Sequence, residues 1–152
     1  MGSNRQMKTV KDILSAQARK WVGKPPATEN EIAELKKAVG FELPHGYVDL
    51  LREHNGGDGE LSLSPLWFQL WDIAFAIQIA TDEFYRLEFD GLFFFGSNGG
   101  LESIAFDMRG PLPWPVVMVD CIAGIESAEQ VASSIEEFVE AIGLSLIVVG
   151  NE

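Results

Sequence analysis

The chain has 152 residues, a formal net charge of −12 and 47% hydrophobic residues. So acidic a chain lacks the Lys/Arg surface that neutralises a phosphate backbone, which excludes a general nucleic-acid binder. The apolar fraction suffices for a core and excludes disorder by composition, and one domain is the default at this length.

Three helices are predicted in the first third of the chain. Apolar residues at spacings of three and four predict a helix over about Lys8 to Val22, with a basic outer face. A capping box at Thr28–Glu31 begins the second helix, and Gly40 suits the left-handed position that ends it. Pro44 suits the first turn of a third helix, which ends at Asn55-Gly56-Gly57.

Strands are predicted in the middle of the chain. Leu61–Leu63 alternates and Phe68–Trp71 is apolar, while Asp72 is placed to cap a short helix. Two apolar segments, Leu92–Phe95 and Leu101–Asp107, flank a Gly-rich turn and predict a β-hairpin.

The last third of the chain adds one strand and one helix. Val116–Val119 is β-branched, and Ser133–Gly143 has a Ser cap, early acids, an apolar stripe and a closing Gly. The order of elements predicts an α+β fold. We expect a central antiparallel sheet of about four or more strands flanked by helices, two or three of them N-terminal and one C-terminal.

The ends of the chain and its single cysteine indicate the domain bounds and the cellular compartment. Residues 1–7 are expected to be a tag or disordered start, and residues 8–152 a single domain. Polar residues interrupt the longest apolar segment, 61–80, so no membrane partner is expected. Cys121 alone permits neither an intrachain disulfide nor a multi-thiolate zinc site. A cytoplasmic protein is therefore expected.

The charge is unevenly distributed along the chain. Positions 1–24 hold six basic residues and one acid, whereas the remaining positions hold five basic residues and 22 acids. From Glu53 onward only Arg86 and Arg109 are basic. This distribution favours either simple solubility or a binding face for a basic partner, since complementary fields select partners and speed their association.

Motifs for catalysis are nearly absent. The chain has no phosphate-binding loop, nucleophile elbow or zinc-binding helix. His45 and His54, nine residues apart on one predicted helix, cannot share a metal ion. The Asn55–Glu60 segment is interpreted as a helix stop followed by a turn, and Cys121 as a small buried residue. We therefore expect no enzyme, catalytic residue, cofactor or metal site.

Aromatic side chains supply most of the predicted core. Among the four tryptophans, Trp67 and Trp71 are the exceptions to this core assignment, and they merit testing as contact residues. Trp114 lies between prolines in a loop, where it suits either an anchor for a partner or packing over the sheet edge.

The order of these motifs resembles the SUKH superfamily. The likeness covers residues 28–142 and includes the hairpin sequence FFFGSNGGLESIAFDMR and the terminal helix at Ser134. Its first part has an acidic helix opening, a closing Gly, a Leu-Pro, a Tyr three residues later, a Leu-rich helix and an Asn-Gly. These positions are Ile32, Gly40, Leu43, Pro44, Tyr47, Leu50, Leu51, Asn55 and Gly56.

The resemblance implies an antiparallel sheet flanked by helices, and a binding function. The superfamily includes bacterial immunity proteins that neutralise polymorphic toxins, many of them nucleases, and fungal regulators of cell-wall synthesis. We expect a non-enzymatic module whose acidic face binds a protein partner, a basic toxin domain; its oligomeric state is left open. The alternative is a regulatory scaffold that binds an endogenous protein or a small molecule. The candidate partner-binding residues are Asp58, Glu60, Trp67, Trp71, Glu102, Asp107 and Trp114.

Overall fold

The computed structural model describes residues 8–146. The predicted tag at residues 1–7 lies outside this range. The helices of the described range are α1 Val10–Ser15, α2 Glu29–Val39, α3 His45–Glu53, α4 Ile73–Ala80, α5 Glu83–Glu88 and α6 Ile135–Ala141, with a 3₁₀ turn at Ile125–Ser127. The strands are β1 Trp21–Gly23, β2 Gly57–Glu60, β3 Trp67–Leu70, β4 Leu92–Ser97, β5 Glu102–Asp107, β6 Val116–Asp120 and β7 Glu129–Ala132.

The strands form one antiparallel sheet in which each strand pairs with the next along the chain. Within residues 8–146 the order is β1-β2-β3-β4-β5-β6-β7, so β1 and β7 are the edges. The predicted α+β class, antiparallel sheet and flanking helices are confirmed. No helix of the described range is long and apolar enough to cross a bilayer.

The main core lies on one side of the sheet. Helices α1, α2, α3, α4 and α6 contribute buried residues to it, because strand residues alternate between the two sides and most of the large apolar ones point toward these helices. Tyr47 of α3 packs against Phe93, Phe95 and Phe106 of the central strands. We call this the helix side.

A smaller apolar cluster covers part of the opposite side. Phe94 of β4 packs there against Phe89 and Tyr85, and the cluster continues through Ala105, Val117 and Val119 of the next two strands. Its cover comes from α5 and from the segment around Ile125. The cluster is centred on β4 to β6, and β1 and β2 contribute no residue to it.

Most predicted helix boundaries are confirmed. Thr28 and Glu31 form the capping box of α2, and Gly40 ends that helix at φ 76°. Pro44 precedes α3 as its N-cap. The side chain of Asp72 accepts a hydrogen bond from the Phe75 amide and so caps α4, while Ser134 caps α6 in the same way.

The predicted first helix is too long. Helix α1 ends at Ser15, and Trp21–Gly23 forms β1 instead. Backbone pairing decides this, because the Lys20 amide donates to Gly143 and the Lys20 carbonyl accepts from the Glu60 amide. Helical spacing alone contains no information about these distant partners.

The predicted turn at Gly57–Glu60 is also wrong, because these residues form strand β2 between β1 and β3. A Cβ on Gly59 would collide with the Lys20 carbonyl oxygen, so glycine permits the close approach of β1. The predicted strand at Leu61–Leu63 is absent, and Leu61 makes only an isolated bridge to Ile142. Helix α5 and strand β7 were not predicted.

Arg19 connects the ends of two helices. Its guanidinium donates to the carbonyl oxygens of Ile13 (2.7 Å), Glu140 (3.1 Å) and Ile142 (2.7 Å). These carbonyls lie at the C-terminal ends of α1 and α6, where few backbone acceptors have helical partners; of the three, the Ile13 carbonyl also accepts from the Ala16 amide. A single half-buried cation therefore ties the N-terminal segment to the last helix.

Replacing Arg19 with Ala is expected to lower the free energy of unfolding by about 2 kcal/mol or more, because hydrogen bonds from a charged donor are lost. Urea denaturation measures this change. Lys11→Ala, at an exposed position on α1, is the control and should stay within about 0.5 kcal/mol of the native value. Equal stability of the two variants would show that the Arg19 contacts contribute nothing.

Candidate partner-binding surface

The side of β1, β2 and β3 that faces away from the helix side is exposed. The register pairs Val22 with Asp58 and Asp58 with Gln69, and it pairs Glu60 with Trp67. The side chains of Val22, Asp58, Glu60, Trp67 and Gln69 therefore share one side of the sheet, which we call the open face. Val22 is 74% exposed and Trp67 is 40% exposed.

A cleft of about 470 Å³ adjoins the open face where α4 begins. The Trp71 and Phe75 rings meet edge to face in its wall, with centroids 4.7 Å apart. The lining residues are Val22, Lys24, Gly57, Asp58, Gln69, Leu70, Trp71, Asp72 and Phe75. The cleft thus joins aromatic surface to two carboxylates, a combination suited to a protein partner.

The two acids of the open face differ in how well they are compensated. The Lys20 ammonium lies 3.8 Å from the Glu60 carboxylate, and the Ser145 hydroxyl also donates to Glu60. Asp58 has no ion-pair partner among residues 8–146. Asp58 is therefore the stronger candidate to attract a basic group.

Asp107 lies on the same side of the sheet but away from the open face. Strand β5 is three strands from β2, about 14 Å across the sheet at the usual strand spacing. The Arg109 guanidinium donates to both Asp107 carboxylate oxygens, at 2.9 and 3.0 Å. These hydrogen bonds lower the pKa of Asp107. Its charge is thus already compensated within the chain.

Glu102 and Trp114 lie elsewhere. Glu102 is two positions from Ile104 on β5, so it lies on the helix side together with Ile104 and Phe106. Its carboxylate accepts a hydrogen bond from the side-chain amide of Asn98 at 3.1 Å. Trp114 is half-buried against Phe41, with ring centroids 6.1 Å apart. Of the seven predicted residues, the structure brings together Asp58, Glu60, Trp67 and Trp71.

Val22 and Phe75 are candidate contact residues that the sequence prediction missed. The helical spacing places Val22 in the first predicted helix, and the sequence pattern does not distinguish Phe75 from the apolar residues around it. Phe75 is 39% exposed because α4 turns its Ile73 and Ala76 into the core instead. A helical wheel over Ile73–Ala80 would have separated Phe75 from these two residues.

The titratable residues considered for catalysis are scattered. His45 is exposed beside Glu42, whereas the His54 ring packs edge to face on Trp21. Cys121 is half-buried rather than buried, and its thiol lies 3.4 Å from the Ser103 hydroxyl. Within the described residues no three His, Cys, Asp or Glu side chains are grouped to hold a metal ion.

Comparison with known families decides the assignment. The model of the SMI1/KNR4 family (SUKH-1) matches residues 26–141. The chain belongs to this family. No curated protein sequence matches it. The SUKH-1 match begins after β1, so Val22 lies outside it, whereas Asp58, Glu60, Trp67 and Trp71 lie inside.

Trp114 and Trp67 of this SUKH-1 chain are expected to respond differently to truncation. Trp114→Ala removes a ring packed against the core and should lower the free energy of unfolding by about 2 to 3 kcal/mol. Trp67→Ala is expected to cost less than about 1 kcal/mol, because its ring is among the exposed apolar groups. Urea denaturation of both variants checks this, and a larger loss for Trp67→Ala would show that its ring is structural.

The Asp107–Arg109 pair predicts a pH effect. Because the pKa of Asp107 is lowered in the folded state, the pair stabilises the fold above the ordinary Asp pKa. That stabilisation is lost as the pH falls through the lowered value. In an NMR titration of the Asp107 carboxyl carbon, Arg109→Gln is expected to raise this pKa, whereas Arg86→Gln should not. An unchanged pKa in Arg109→Gln would refute the assignment.

Proposed function

We propose that this chain is a single, non-enzymatic SUKH-like domain that acts as an immunity protein. In this role it binds a polymorphic toxin and neutralises it. Membership of the SUKH-1 family supports an immunity or regulatory role. The observation that supports binding is the open face, where exposed Val22 and Trp67 lie beside an uncompensated Asp58.

Neutralisation would follow from occlusion. A toxin that acts on a nucleic acid needs Lys/Arg side chains to hold the phosphate backbone. Asp58 would pair with such a cation, and Trp67 would anchor the contact by burying its ring. The acidic body of the chain would accelerate the encounter, which makes the association rate sensitive to salt.

A regulatory role is the second candidate, and a cleft on the helix side favours it. This cleft has a volume of about 480 Å³ and lies where α3 and α6 begin. Its lining includes Leu43, Pro44, Pro113, Trp114 and Ile135. A largely preformed apolar cleft of this size suits a small molecule or a short peptide of an endogenous partner.

The first experiment captures a partner from a lysate of the source cells at low and at high salt. The baits are the native chain, a double variant with Asp58→Lys and Trp67→Ala, and a matched control with Glu42→Lys and Leu112→Ala. Both control residues are exposed and lie at the helix-side cleft. A basic protein should bind the native chain and the control, dissociate at high salt, and fail to bind the double variant.

The captured protein is then produced in cells with and without this chain. Immunity predicts that it arrests growth, that the native chain relieves the arrest, and that the double variant does not. A partner that is harmless to cells, or that is lost only with the helix-side control, would instead support the regulatory role. Equal capture by all three baits would contradict binding at either surface.

A further inference from the structure

Helix α5 presents apolar side chains to solvent. Phe84 is 55% exposed and Leu87 is 70% exposed, and no residue of the helix is buried. Tyr85 and Phe89 hold the helix on the sheet through ring contacts with Phe94, at centroid distances of 5.5 and 5.3 Å. The helix is therefore anchored by one flank while its apolar outer residues have no cover within residues 8–146.

A groove of about 450 Å³, with a mixed polar and apolar lining, runs beside α5. It lies between this helix, the ends of α2 and α4, and the start of β4. Its lining residues are Val39, Phe41, Ile79, Ala80, Tyr85, Arg86, Leu87, Phe89, Asp90, Gly91, Leu92, Phe93, Phe94 and Met108. A groove of this volume admits one or two large apolar side chains of a partner segment.

The α5 segment is acidic. Across residues 82–90 the exposed charged residues are Asp82, Glu83, Glu88 and Asp90, with Arg86 as the single cation, and of these Arg86 and Asp90 line the groove. None of these charged groups has an ion-pair partner in the described part of the chain. The field at this surface is therefore negative and complements a cationic segment.

We propose that α5 and its groove form a second docking surface, which receives a basic amphipathic segment of a protein partner. An apolar side chain of the segment enters the groove beside Leu87, and Lys or Arg side chains meet the acids of the α5 segment. Solubility alone accounts for the acids, but it does not account for Phe84 and Leu87, two exposed apolar residues on one short helix beside a groove. The inference goes beyond the proposed function, because the occupant need not be a toxin.

Helix α4 separates this surface from the open face. Phe75, in its first turn, lines the cleft of the open face, whereas Ile79 and Ala80, at its end, line the groove of α5. One large partner would therefore be able to contact both surfaces. Each surface has its own set of exposed residues, so the two are tested separately.

The test uses a fluorescent helical peptide of about 18 residues with Leu on one face and Lys on the other, at physiological salt. Fluorescence anisotropy measures its dissociation constant, and a peptide of the same pattern with Glu for Lys is the negative probe. The native chain should bind the Leu/Lys peptide and not the Leu/Glu peptide. A variant with Phe84→Ser and Leu87→Ser should bind about tenfold or more weakly.

Matched variants separate this site from general attraction to an acidic protein. Leu101→Ser with Ile122→Ser changes two equally exposed apolar residues outside the groove and should leave the affinity unchanged. Glu83→Gln with Glu88→Gln should weaken binding several-fold, whereas Glu126→Gln with Glu129→Gln should not. Equal weakening by matched and test variants would overturn the proposal.

Folding and the open face are checked in the same series. Circular dichroism shows whether each variant is folded. If the Phe84/Leu87 variant is unfolded, the variant with Glu83→Gln and Glu88→Gln tests the proposal in its place. The variant with Asp58→Lys and Trp67→Ala should keep its affinity for the Leu/Lys peptide. Loss of affinity in that variant alone would assign the peptide to the open face and refute docking at α5.

Discussion

Ring packing around Phe95 is the interaction on which the rest of the structure depends. Phe95 stacks on Phe106 with centroids 4.5 Å apart, and it also contacts Tyr47 and Phe138. These four residues belong to α3, α6 and two central strands, so one cluster holds the helices against the sheet. Each such aromatic pair adds about 0.5 to 1.5 kcal/mol beyond the burial of its area.

The same cluster sets an unusual environment for Tyr47. Its ring is fully buried among phenylalanines, and its hydroxyl has no hydrogen-bond partner within residues 8–146. Burial raises the pKa of Tyr47 well above the ordinary value. The hydroxyl is therefore neutral at physiological pH, and the observed contacts of Tyr47 are packing contacts of its ring.

The two sides of the sheet consequently have different roles. The helix side is covered by five helices, and a cleft near Pro44 and Trp114 remains accessible at its rim. The opposite side is covered over β4 to β6, and the exposed aromatic residues Trp67, Phe75 and Phe84 lie on β3, α4 and α5. Binding surfaces are therefore expected where the second apolar cluster stops, because exposed aromatic groups beside acids are typical of protein contacts.

Part of the fold was predictable from the sequence because it depends on interactions between residues close together in the chain. The capping box at Thr28, the left-handed Gly40 and the β4–β5 hairpin depend on neighbouring residues, which is why their prediction succeeded. The prediction of strand β1 failed because its pairing partners are 34 to 38 positions away, from Gly23 with Gly57 to Trp21 with Gly59. Glycines at positions 57 and 59 are typical of a turn in isolation, but here they allow two backbones to approach closely.

For the candidate site, too, the sequence determined some features and the tertiary structure determined the others. The sequence by itself determined the family and the acidic character of the chain, and it indicated Trp67, Trp71 and Asp58 as candidate contact residues. Only the tertiary structure decided which of them lie together, because the side on which a strand residue lies depends on register and not on residue type. It also separated compensated Asp107 from uncompensated Asp58, since an ion pair requires two charges to be close in space.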